Sequence, residues 1–205
     1  MQPATDTTKP GAEKSVSRFA IDAGRSTFTV QAFSTGILSA FGHNPRIAIR
    51  GMKGDVQFSV ADGMVSDVHL HVEIDPRSLE VTDDISDKDR REIHRQMYDE
   101  VLEVERYPEI VYDCSSVTIN GSGDQFSSTL NGDLTLHGES HPLSVSARIT
   151  LMGEILKGSG EFTVSQKQFG IAPVTVAGGA IKLKDDVKCT FNLVARKRPR
   201  NNNEG

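Results

Sequence analysis

A chain of 205 residues, 37% hydrophobic and 25% charged, can bury a sizeable core and suits one soluble domain, or at most two. A net charge of -5 with 6% aromatics argues against a nucleic-acid binder, which needs concentrated positive charge. No run approaches the roughly 18 to 20 apolar residues that span a bilayer, so stable membrane insertion is not expected.

Residues 1–17 are rich in Thr, Pro, Lys and Ser and predict a loose arm. They lack the basic-then-apolar layout of a secretory signal. The expectation is a cytoplasmic protein, or a periplasmic one if a signal has been cleaved. Residues 18–197 form the expected domain, and 198–205 a flexible polar tail.

Within that domain, alternation dominates and predicts strands with one buried face. Phe28, Val30 and Ala32 face one way; Val56, Phe58 and Val60 follow. In "DVHLHVEI", Val68, Leu70, Val72 and Ile74 oppose Asp67, His69, His71 and Glu73. The rhythm returns at Leu143, Val145, Ala147, Ile149 and Leu151, and again at Val187, Cys189, Phe191 and Leu193. Gly-containing turns such as "INGSGD" and "LKGSGE" separate these runs. About eight strands at this spacing predict an antiparallel sandwich or barrel.

One segment differs. In "SDKDRREIHRQMYDEVLEV" the apolar residues Ile93, Met97 and Val101 recur every four, with Tyr98 and Leu102 widening the stripe. Ser86 is a candidate N-cap, Asp87 and Asp89 suit the first turn, and Pro108 ends the segment. A single amphipathic helix on an all-β body is expected. The two cysteines, Cys114 and Cys189, read as buried small hydrophobes, although a bridge between them is allowed.

A closed sheet of about eight strands encloses an interior that side chains just fill, or that holds one slender ligand. Periodicity alone leaves both options open. Enzyme motifs are missing: there is no G-x-S-x-G, P-loop, G-x-G-x-x-G or H-E-x-x-H, and no catalytic constellation is expected.

Several stretches then resemble one family. "FAIDAGRSTFTVQAF" is similar to the opening strand pair of the YceI-like family, and "YPEIVYDCSSV" to its segment after the helix. "LNGDLTLHGESHPLSV" resembles its G-x-L-T-L-H-G signature, while "SQKQFGI" and "DDVKCTFNLVA" resemble its closing strands. The likeness covers residues 18 to 197 in order. Arg25 stands where the family usually has His, and the loop "FSTGILSAFGHNPRI" departs from the commoner short version.

The resemblance implies an all-β, antiparallel eight-stranded lipocalin-like barrel with one amphipathic helical insertion. It further implies non-catalytic binding of a long apolar ligand, such as a polyisoprenoid, a quinone-like lipid or a fatty-acid derivative, for transport, storage or stress response. No cofactor or metal follows from it. The expected lining is Phe28, Val30, Leu70, Val72, Leu134, Leu136 and Phe162, with Ile93, Met97 and Val101 of the helix closing one side. Residues 36–46 are the expected lip. There Ile37, Leu38 and Phe41 are apolar, while His43, Asn44 and Arg46 are candidate head-group contacts, Arg46 suiting a carboxylate.

Two alternatives remain open at this point. A metal-dependent protein could use His43 with His69, His71, His94 or His137, since i and i+2 on a strand share a face. The simpler reading of His69, His71, His94, His137 and His141 is a surface role. A packed barrel could instead act as an interaction module, and a homodimer is compatible with each reading.

Overall fold

The computed structural model describes residues 15–35, 44–62, 64–122, 124–176 and 181–199. The alternating stretches form strands because each can bury one face only by pairing. In chain order they are β1 (Ser15–Ile21), β2 (Thr27–Gln31), β3 (Ser34–Thr35), β4 (Arg46–Ile49), β5 (Met52–Ala61), β6 (Met64–Ile74) and β7 (Leu79–Val81). After the helix α1 (Asp87–Arg95) come β8 (Ile110–Ser122), β9 (Gln125–Leu136), β10 (Glu139–Met152), β11 (Ile155–Ser165), β12 (Thr175–Val176), β13 (Ile181–Leu183) and β14 (Asp186–Lys197).

Strands β1, β5, β6, β8, β9, β10, β11 and β14 pair in that order, and β14 returns to β1, closing an eight-stranded antiparallel barrel. β1 begins at Ser15, inside the stretch expected to be a loose arm, because Ser15, Val16 and Ser17 pair with Val60, Ser59 and Phe58. β14 is long enough to hold β1 at one end and β2 at the other. Between them the chain detours through Ala23–Arg25, and Ser26 Oγ accepts the Val194 amide that the break would leave unpaired (3.0 Å). From β2 the sheet runs on through β4 to β7, which forms an outer edge at the upper end.

An uncovered edge exposes unpaired backbone groups. The helical insertion covers this one. Ser86 caps α1 by accepting the Asp89 amide (3.1 Å), as expected. Along α1 and the turn after it, side chains meet the edge of β7. The Val81 amide donates to His94 Nε2 (3.0 Å), Arg90 donates to the Val81 carbonyl, and Tyr98 Oη reaches the Leu79 carbonyl (2.5 Å). We expect Tyr98→Phe to lower stability by about 1–2 kcal/mol in chemical denaturation, with the loss concentrated in protection of the helix and β7 from hydrogen exchange.

The expected helix does not continue uniformly to residue 104. After Arg95 it widens into a π turn over Gln96–Val101, with the Leu102 amide bonded to the Met97 carbonyl (2.9 Å). The wider turn puts Met97, Val101 and Leu102 on the interior side together.

Below the helix, Phe19 and Phe58 stack at 5.7 Å, and with Ala195 they form a packed lower core. Cys114 and Cys189 are buried free thiols, so no bridge joins them.

Candidate ligand-binding site

In the upper half of the barrel the inward side chains leave a cavity of about 440 Å³. β14 traces its depth. Val187, Cys189, Phe191 and Leu193 line it in succession, a span of about 20 Å of strand. Ala195, the next inward residue, belongs to the packed lower core instead. The lining rings of Phe28, Phe162 and Phe191 meet with centroids 6.1 to 6.3 Å apart. Along β14 the cavity ends between Leu193 and the packed core at Ala195. At the other end it reaches Ala32, Pro45, Val174 and Leu183, beside a short sheet of β12, β13 and β3.

The wall is apolar almost throughout. Among the described residues that line it there is no Lys, Arg, Asp, Glu or His. Tyr112 Oη sits 3.1 Å from both the Leu130 and the Leu143 carbonyl, so its proton is already engaged, and burial raises the phenol well above its ordinary range. Burial likewise pushes the Cys189 thiol up to about 12, which keeps it neutral.

Every lining residue expected from the strands and the helix borders this cavity: Phe28, Val30, Leu70, Val72, Ile93, Met97, Val101, Leu134, Leu136 and Phe162. The lip is different. Ile37, Leu38, Phe41 and His43 lie outside the described residues. Asn44 and Arg46 are exposed and absent from the cavity wall. Asn44 Oδ1 accepts from the Ser34 amide (2.8 Å), and the Arg46 amide donates to Asp83 Oδ2 (2.7 Å). On β4 it is Ile47 and Ile49 that face inward, so strand parity turns Arg46 outward. The head-group role expected for Asn44 and Arg46 has no geometric support.

Sequence reasoning missed several lining residues. Leu143, Val187, Cys189, Phe191 and Leu193 carry the same alternation as the residues named, and parity alone could have included them. Gln96 and Gln166 carry no such signal, because a polar residue gives periodicity nothing to count.

The described histidines separate rather than converge. His71 lies on the outer wall, with Nδ1 2.6 Å from Asp113 Oδ1 and Nε2 3.0 Å from Glu73 Oε1. His94 accepts from β7, and its ring stacks on Tyr98 at 5.6 Å. His137, expected at the surface, is largely enclosed: its nitrogens face Glu103 Oε2 (2.8 Å) and the Phe169 carbonyl (3.2 Å). Among the described residues no group of three or more His, Cys, Asp or Glu is placed to hold a metal.

The His71 site has a measurable consequence. Asp113 and then Glu73 accept from the ring and raise its pKa above the ordinary 6.5. A raised folded-state value means that its stabilisation is complete below the unfolded pKa and disappears as pH rises through the folded one. Urea midpoints at pH 6 and pH 8.5 should therefore differ less in His71→Gln than in the wild-type protein.

Comparison with known proteins follows the same lines. Several solved structures share the fold. BcnA of Burkholderia cenocepacia superposes with a TM-score of 0.64 at 15% identity, covering 85% of this chain and 98% of that one. A polyisoprenoid binding domain from Saccharophagus degradans, implicated in plant cell wall breakdown, gives 0.62 at 13% identity, covering 88% and 98%. The YCEI protein of Campylobacter jejuni gives 0.58 at 15% identity, covering 77% and 88%. A search of the curated proteins finds no significant match. No helix among the described residues is long and apolar enough to cross a membrane. The family model of the YceI-like domain matches residues 19–195, and the chain belongs to the YceI-like family.

Proposed function

We propose that this protein binds a long apolar chain in the barrel lumen without chemical conversion, as a carrier or store. The observation that supports this reading is the cavity of about 440 Å³ whose described wall carries no charged side chain. An apolar void of about 150 Å³ holds a benzene, so this one has room for on the order of fifteen carbons. Burying each methylene is worth roughly 0.8 kcal/mol, or about 12 kcal/mol in all before association costs. Those costs run from about 4 to 15 kcal/mol, so micromolar binding requires a preformed pocket. The packed rings of the wall and the strands of a closed barrel support such a pocket. The polyisoprenoid binding domain of Saccharophagus degradans, a protein of the same fold, adds support for an isoprenoid or alkyl chain.

Extraction of the purified protein with organic solvent, followed by mass spectrometry, tests the reading. The expected result is a lipid with one alkyl or isoprenoid chain in near-stoichiometric amount. An empty extract, combined with no uptake of a fluorescent fatty-chain probe, contradicts it.

A further inference from the structure

One polar side chain in the lumen stands apart. Gln166, at the start of the short 3-10 turn Gln166–Phe169, is only 8% exposed and borders the cavity. Its Nε2 donates to two backbone carbonyls, Lys184 O and Asp185 O, each at 3.0 Å. Two acceptors on one side fix the orientation of the amide, because a carboxamide oxygen placed there would face them without a proton. Oε1 is therefore turned away from them, and no described residue donates to it. Among the described residues no buried side-chain oxygen or nitrogen lacks a partner, so Oε1 keeps some accessible surface, and Gln166 borders the cavity.

The other polar groups of the wall differ. The Tyr112 proton is engaged by two carbonyls, and Gln96 is partly exposed, with Nε2 turned to Glu92 (2.9 Å) on the helix surface. We propose that Gln166 Oε1 is the acceptor that selects the ligand's head: an uncharged group carrying an O–H or N–H donor, such as an alcohol, in preference to a carboxylate. This rests on the lipid-binding reading above and goes beyond it by naming the head-group class.

Charge points the same way. The loop that Gln166 grips carries the Asp185 carboxylate. Ser165 Oγ (2.7 Å) and the Lys167 amide (2.8 Å) donate to it and hold it below the usual carboxylate range, so it is ionised. An anionic head brought beside Oε1 would meet an acceptor, and no described residue of the wall carries a cation to offset its charge. A neutral donor meets an acceptor that has no partner among the described residues.

The test is competition against a bound fluorescent fatty-chain probe with three ligands of one chain length: dodecanol, dodecyl methyl ether and dodecanoate. Dodecanol should bind about tenfold tighter than the ether. The ether has the additional carbon, so burial alone would favour it and the expected order runs against burial. Dodecanoate should bind at least tenfold more weakly than dodecanol at pH 8. In Gln166→Met the alcohol's advantage should disappear, leaving the ether equal or tighter. Equal affinities of alcohol and ether in the wild-type protein, or a preference that persists in Gln166→Met, would overturn the proposal and leave lipid binding intact. If no ligand displaces the probe and the probe itself fails to bind, the lipid-binding reading falls and the head-group proposal with it. Should Gln166→Met not fold, the wild-type comparison decides the matter alone.

Discussion

Val30→Trp lowers lipid affinity roughly thirty- to hundredfold while leaving the melting temperature unchanged or higher. Val30 lies on β2 with its side chain in the cavity wall and its backbone paired to Cys189 and Ile47. An indole placed there enters a void and takes the space of roughly three or four methylenes, worth about 2–3 kcal/mol of binding. In a packed core the same change would strain neighbours and destabilise by about 1–3 kcal/mol. Here it gains contacts that the empty wall lacks. Loss of binding with retained stability therefore distinguishes an open lumen from a filled one, and titration with a fluorescent fatty acid beside a thermal melt measures both. Met97→Asp gives the contrast. Met97 is 7% exposed and borders the lumen, so a carboxylate there should lose uptake and several kcal/mol of stability together.

The second large effect lies in the wall. A Cβ on Gly132 would stand 2.2 Å from the Asp113 carbonyl oxygen and 2.9 Å from Cys114 Cα. These are backbone atoms of β8, held in register with β9 next to a bulge between Cys114 and Ser116, so neither strand can move aside cheaply. Gly132→Ala should destabilise by roughly 2–4 kcal/mol. Gly153 provides the comparison. Its φ of +58° disfavours a side chain, but nothing lies within 4 Å of the added carbon, and Gly153→Ala should cost only about 1 kcal/mol. Urea denaturation of the two variants decides the order. Equal losses would mean that the close approach of β8 and β9 is not as described.

Much of this architecture was legible in the sequence because a barrel enforces parity. Val68, Leu70, Val72 and Ile74 alternate with charged and polar residues, and the interior side is the apolar one. The same rule turns Arg46 outward, since Ile47 and Ile49 on β4 face the cavity. Other features depend on partners far along the chain. His94 and His137 look like surface residues until β7 and Glu103 are placed beside them. The change from α to π winding after Arg95 leaves no mark in a four-residue spacing that fits both. Whether the interior is open was beyond periodicity, because the lower half is packed around Phe19 and Phe58 while the upper half, built from similar residues, is not. Gln166 likewise leaves no mark in the periodicity. Its meaning lies in which side of its amide has partners.

A crystal structure with 12-bromododecanol bound tests the central claim most directly. The account predicts an anomalous bromine peak inside the barrel beside the Phe28, Phe162 and Phe191 rings, with the hydroxyl toward Gln166. Bromine found only on the outer wall, with side chains closing the lumen, would contradict it.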